Sequence, residues 1–241
     1  MTEYEIVADF YGDHPDKERK IAETMRKIEL GEPCAYLLGE WFFYKNIFKV
    51  NRDCLIPRPD TERVVEKAVS IIPKSARFAD LCTGSGCIAL SVLADRSDLS
   101  AVAIDVSCKA ISAACENARL MDLSSRAKFI CADLLTSDPL GGELFDCIIS
   151  NPPYIKTDAL ADFPSLVHEP LLALDGGSDG LMFYREFIKK YSKNLTDTGF
   201  FIFEIGYDQR DDITALASEN GFSCSVERDY GGNDRVAVLR R

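Results

Sequence analysis

The sequence predicts an α/β protein: a doubly wound, mostly parallel seven-stranded sheet with a terminal antiparallel hairpin, preceded by a small N-terminal helix and a β-hairpin. Three observations predict it. After Pro73, short and nearly continuous apolar runs alternate with segments of helical length, the pattern of strands covered on both faces by helices. A glycine turn, Thr83-Gly84-Ser85-Gly86, joins the first of these runs to a helix. The last two apolar segments flank Gly231-Gly232-Asn233-Asp234, a composition suited to an antiparallel turn.

In chain order, residues 15–30 carry Ile21, Met25 and Ile28 at i, i+4 and i+7, and Gly31 follows as a stop. Trp41–Ile56 is aromatic and β-branched and predicts a β-hairpin turning at Lys45-Asn46. Pro57 and Pro59 close it, and Asp60 or Thr61 can cap a helix running to Ile72. The predicted strands are Arg77–Cys82, Ala101–Asp105, Lys128–Cys131, Phe145–Ser150 and Gly199–Ile205, with helices over Gly86–Leu93, Cys108–Leu120 and Leu181–Leu195. Phe222–Arg228 and Arg235–Leu239 form the terminal antiparallel pair. The chain then divides into a helical region (1–34), a hairpin linker (35–58) and a catalytic domain (59–241).

A length of 241 residues suits one sizeable core with a small appendage. The formal net charge of −11 repels polyanions, which disfavours nucleic acid as the main substrate. Nine cysteines and two histidines include no C-x-x-C pair, so no metal is expected. The odd cysteine count and the acidic start MTEYEIVADF predict reduced thiols in a cytoplasmic protein. No apolar run approaches the roughly 20 residues of a membrane span.

Candidate site residues gather at strand ends. The turn Cys82-Thr83-Gly84-Ser85-Gly86 lets backbone approach a ligand closely and opens a helix with free N–H groups. Ala89 stands at the third position of a G-x-G-x-x-G pattern, so this turn alone does not choose between ligands. Asp105 ends the second strand, where a carboxylate can accept hydrogen bonds from ribose hydroxyls of NAD or S-adenosylmethionine. Asp133 follows the third strand, where it can accept from an adenine amine.

Asn151-Pro152-Pro153-Tyr154 directly follows the fourth strand. Two prolines fix φ and donate no N–H, which holds the Pro152 carbonyl beside the Asn151 amide oxygen. Two such acceptors suit the hydrogens of a planar –NH2 group, and Tyr154 can supply a wall to stack on that plane. An amide nitrogen is a weak nucleophile. Catalysis by this pattern therefore rests mainly on orientation, which is worth about 7–11 kcal/mol in well-aligned cases.

These segments resemble the release-factor glutamine methyltransferases from Gly31 onward. Residues 31–50 are similar to that family's linker hairpin, and LIPRPDTE (Leu55–Glu62) to the segment before its catalytic domain. DLCTGSG resembles its cofactor motif, SNPPYI its catalytic motif, and residues 168–185 its post-catalytic loop. FEIGYDQ and DRVAVLRR match as well. The resemblance implies methyl transfer from S-adenosylmethionine, leaving S-adenosylhomocysteine, to the glutamine of the Gly-Gly-Gln motif in peptide chain release factors. By position, it implies that Cys82–Gly86, Asp105, Asp133, Leu134 and Asn151 bind the cofactor. Asn151, Pro152, Pro153 and Tyr154 would hold the glutamine, with Arg58 and Glu169 as further substrate contacts. Cys82 stands where the family usually has glycine, Leu134 where an aromatic residue often packs the adenine, and the N-terminal region is shorter. The alternatives are an N6-adenine or RNA amine methyltransferase, or an inactive cofactor-binding interaction module.

Overall fold

The computed structural model describes residues 2–163 and 166–241. Two helices, not one, precede the hairpin region: α1 (Glu3–Tyr11) and α2 (Lys17–Glu29), followed by the short α3 (Cys34–Leu38). The extra helix has a local cause. The Thr2 hydroxyl accepts from the Glu5 N–H while Glu5 accepts from the Thr2 N–H, a reciprocal cap. Val7, Ile21, Cys34 and Leu38 then bury a small satellite core.

The predicted hairpin is β1 (Glu40–Phe43) and β2 (Asn46–Lys49). Its turn is Tyr44-Lys45, one residue before the predicted place, because Phe43 pairs with Asn46. Phe43 and Phe48 point inward and are fully buried, each worth roughly 1.5–3 kcal/mol. From Val50 onward the chain is irregular rather than strand. Asn117 fixes the hairpin: its Oδ1 accepts from Lys49 N–H at 2.7 Å and its Nδ2 donates to the Lys49 carbonyl at 3.0 Å.

The rest is α4 (Glu62–Ile71), β3 (Arg77–Leu81), α5 (Cys87–Asp95), β4 (Ser100–Asp105), α6 (Cys108–Leu120), β5 (Ala127–Cys131), β6 (Phe145–Ser150), α7 (Met182–Tyr191), β7 (Leu195–Glu204), α8 (Arg210–Glu219), β8 (Ser223–Arg228) and β9 (Asp234–Arg240). The seven-stranded sheet runs β5-β4-β3-β6-β7-β9-β8. All its pairings are parallel except the two that β9 makes. Alternate residues of each central strand enter opposite cores. Phe78, Ala103, Ile149 and Ile202 face α4, α5 and α6. Ala79, Ile104, Ile148 and Phe203 face α7 and α8. The strand order reverses between β3 and β6, and ligands of open α/β sheets bind beyond the strand ends at such a point.

One expectation about thiols is corrected. Cys108 and Cys131 form a disulfide, and the other seven cysteines are free. Sheet register brings the two together: Asp105 at the end of β4 pairs with Cys131 at the end of β5, and Cys108 opens α6 just beyond.

Candidate active site

A cavity of about 320 Å³ opens at the switch point between β3 and β6, within the size range of small-molecule sites. Its floor is Cys82, Thr83, Gly84 and Ser85 after β3, and Asp105 closes one end. Asp133 and Leu134 after β5, and Asn151 and Pro153 after β6, complete the C-terminal edge. The irregular linker supplies the facing wall through Asp53, Cys54, Leu55, Pro57 and Arg58. Of these, the sequence marked Arg58 as a site residue and Leu55 and Pro57 only as part of LIPRPDTE; Asp53 and Cys54, and the further lining residues Leu172 and Phe183, were not marked. Their positions directly after a hairpin and before a helix were the available signal.

The glycine turn is tightly specified. Buried Asp80 accepts from the Thr83 hydroxyl at 2.6 Å and from Ala89 N–H at 3.2 Å, bracing both sides of the turn. Burial pushes its carboxyl up to about 7, against the pull of those two donors. Cys82 adopts φ +62°, a left-handed conformation that costs a non-glycine residue roughly 1–2 kcal/mol. That is the physical content of finding cysteine at this position. Asp105 accepts from Gly84 N–H at 2.8 Å and Ser107 N–H at 2.9 Å. Burial raises its carboxyl and those N–H groups oppose the rise. Ser85 is one of the lining residues and its buried Oγ has no hydrogen-bond partner among the described residues, while the space beyond Gly84 Cα is open. These features fit a ligand with several hydroxyl and amine groups.

Asp133 uses its oxygens in its own turn, accepting from Leu135 N–H and the Thr136 hydroxyl, both at 2.8 Å. Those bonds, the hydroxyl first, hold its carboxyl below the usual range. Leu134 is buried against α7, where the Tyr191 hydroxyl donates to its carbonyl at 2.8 Å.

Asn151 Nδ2 donates to Thr61 Oγ1 at 3.2 Å. Thr61 was expected among the helix caps, yet it makes no cap hydrogen bond. Gly86, Pro152, Tyr154 and Glu169 are not among the cavity's lining residues. Gly86 caps α5 behind the turn. The Tyr154 hydroxyl points away to Glu204 Oε1 at 3.3 Å, and burial pushes the phenol up. The ring is therefore anchored in the protein and is not a free stacking wall. Glu169 is also buried: it pairs with Arg58 and accepts from Ile56 N–H at 3.1 Å. It ties the loop before Pro170 to the linker, while Arg58 itself reaches the cavity.

The loop after Asn151 is packed by glycines. A Cβ on Gly176 would lie 2.7 Å from Tyr154 Cα, and one on Gly180 2.5 Å from the Tyr154 carbonyl oxygen. Gln209 adds a strap, donating to the carbonyls of Tyr154 at 3.3 Å and Gly180 at 3.1 Å. Gly180 also sits at φ +74°. Gly180→Ala is expected to lose about 2–3 kcal/mol of stability from strain and the backbone clash. Urea unfolding measures it, and an unchanged midpoint would show that the loop has room for the methyl group.

Residues 64–200 match the methyltransferase small domain. The chain is 37% identical over 242 residues to the release factor glutamine methyltransferase of Thermodesulfovibrio yellowstonii, covering 96% of this chain and 86% of that one. The chain belongs to the release factor glutamine methyltransferase family. The Caulobacter vibrioides member is also 37% identical, over 99% of this chain and 84% of its own. A ribosomal protein L11 methylase from Lactobacillus delbrueckii subsp. bulgaricus shares the fold, with TM-score 0.57 at 22% identity over 83% of this chain and 92% of that one. The protein is accordingly a methyltransferase, and the cavity at the switch point is its candidate active site. No helix among the described residues is long and apolar enough to cross a membrane.

Proposed function

We propose that this chain methylates the side-chain amide nitrogen of the glutamine in the Gly-Gly-Gln motif of peptide chain release factors, using S-adenosylmethionine. The observation that carries the reading is that Asn151 lines the same cavity as the Asp105-braced glycine turn. A group held at Asn151 thus lies beside whatever the turn holds. The cofactor supplies an electrophilic methyl group on a sulfonium sulfur. Asp105, with oxygens already aimed by two backbone N–H groups, would hold the cofactor's ribose hydroxyls, and Gly84, Ser85, Asp133 and Leu134 would line the rest of its site.

Asn151 Oδ1, at the cavity, and the backbone carbonyl of the adjoining Pro152, outside its lining, are the acceptors for the two hydrogens of the glutamine –NH2. They fix its plane and direct the nitrogen lone pair toward the methyl carbon. Rotational freedom is removed before reaction, and that is the main source of acceleration. The N–C bond would form as the C–S bond breaks and S-adenosylhomocysteine leaves; the surplus proton, acidic once the methyl is attached, would then pass to solvent, so no strong base is needed. Tyr154 holds the loop through Glu204, and the Arg58–Glu169 pair holds the linker wall against it. The release factor and the cytoplasm in which chains are released are the partner and compartment of this reading.

The test is incubation with isotope-labelled S-adenosylmethionine and a purified release factor, then mass spectrometry of its peptides. One methyl group is expected on the Gly-Gly-Gln glutamine, and none when that glutamine is replaced by glutamate. Label on another residue, or on added RNA in place of the protein, overturns the proposal.

A further inference from the structure

We propose that the buried Glu204 carboxylate orients the Asn151 carboxamide through the Thr61 hydroxyl, so that Asn151 presents its oxygen and not its –NH2 to the cavity. The inference deepens the proposed function and rests on it for the identity of the group received there.

A carboxamide can present either end, and only its hydrogen-bond partners decide which. Asn151 Nδ2 donates to Thr61 Oγ1 at 3.2 Å. This bond needs the Thr61 proton to point away from Asn151, and it is locked in place when that proton is given to another group. The buried acceptor nearby is Glu204: Thr61 draws its carboxyl down, and neither bonds the other directly in this structure. Glu204 ends β7, beside the end of β6, where Phe203 pairs with Ser150. Its side chain is buried, Oε1 accepts from Tyr154 at 3.3 Å, and Oε2 has no hydrogen-bond partner among the described residues. One unassigned hydroxyl proton and one unsatisfied buried oxygen thus complete each other, and an unsatisfied buried oxygen is costly.

The carboxyl is also poised to change state. The groups facing it are Thr61 and Asp60 before α4, Tyr154 after β6 and Arg235 on β9; Tyr184 of α7 donates to the Glu204 backbone carbonyl at 2.7 Å. The only cation among these, Arg235, is shared between Asp229 and Asp60, each at 3.3 Å, and the Ile205 carbonyl at 3.1 Å. Burial therefore dominates and pushes the Glu204 carboxyl up to about 7. When Glu204 takes a proton from solvent, it becomes a donor. Thr61 then accepts from Glu204 and its own proton is free to go to Asn151, so the carboxamide is no longer held and can turn its oxygen inward and its –NH2 to the cavity. The Asn151 –NH2, a donor, would then face the substrate –NH2, and the clamp is lost. Glu204 and Thr61 are positioning residues that act through Asn151.

The decisive measurement uses the cofactor-free protein and no substrate. The Asn151 side-chain amide resonances are identified in a ¹⁵N spectrum by their loss in Asn151→Asp. They are expected to titrate between about pH 5.5 and about pH 8.5, a window that brackets the carboxyl's raised value. Glu204→Gln and Thr61→Val are each expected to remove that titration, and Thr61→Ser to restore it. Resonances that stay flat in the wild type, or titrate unchanged in both variants, overturn the inference. Kinetics give a second readout at saturating cofactor. The fall of kcat toward acidic pH is expected to vanish in Glu204→Gln, and Thr61→Val is expected to lower kcat roughly tenfold or more. An acid limb kept in Glu204→Gln, or kcat unchanged in Thr61→Val, overturns the inference as well. If the wild type methylates no release factor, the proposed function fails while the spectrum still decides the role of Glu204.

Discussion

Asn151→Ala is expected to lower kcat on the release factor by roughly 10²–10³-fold, about 3–4 kcal/mol, the scale seen when one preorganised polar group is removed from an active site. The substitution deletes the one side-chain acceptor that the post-β6 loop offers to the cavity among the described residues. The backbone that carries it should stay in place. Asn151 follows a strand paired on both sides. The loop beyond is held by Gly176, Gly180 and the Gln209 strap. Urea stability should therefore change by less than about 1 kcal/mol, since the only bond lost is a part-buried one to Thr61. Single-turnover transfer of labelled methyl separates this chemical effect from release. Methyl transfer within tenfold of the wild-type rate would mean that the Pro152 carbonyl and the walls suffice without Asn151.

What could be read in advance follows the range of the interactions. β6 was bounded correctly because FDCIIS is an apolar run stopped by Asn151-Pro152, both local signals. The same holds for α6, where Ser107 accepts from Ala110 N–H as a cap. α1 was missed although Thr2 and Glu5 are spaced for a capping box, because its acidic first turn hid the apolar stripe. The hairpin turn slipped by one residue because Tyr44 takes φ +58°, which propensity argues against in a tyrosine. The site was legible as a set of strand ends, since parallel topology sends them all to one edge. The roles of Thr61, Tyr154 and Glu169 were not. Each depends on a partner far along the chain: Thr61 on Asn151, 90 residues away, and Glu169 on Ile56, 113 away. A single sequence carries no trace of which distant group a buried hydroxyl or carboxyl will meet.

Raising the pH from about 4 to about 7 is expected to cost the ligand-free protein stability through Asp80, and Asp80→Asn to remove that loss. Asp80 is fully buried, with Oδ2 bonded to Thr83 and Ala89 and Oδ1 without a partner among the described residues. Nearby Asp105 raises its carboxyl further, and the folded value is about 7. An unfolded aspartate has lost its proton above about 3.9. Between these values the folded chain binds the proton and the unfolded chain does not, so stability falls as pH rises. The contribution is complete below about 4 and gone above about 7, at up to about 1.4 kcal/mol per pH unit, or about 4 kcal/mol in all. Carboxylates such as Asp98, drawn down by Arg96, change in the opposite sense, so the wild-type curve alone is not the test. The difference between wild type and Asp80→Asn is. The amide stays neutral at every pH, and its oxygen can still accept from Thr83 and Ala89, which keeps the glycine turn closed. Urea midpoints at about pH 5 and about pH 7.5 should diverge between the two proteins by roughly 2–3 kcal/mol. Parallel curves would mean that Asp80 is ionised throughout, and that the glycine turn is braced by a buried charge and not by a neutral acid.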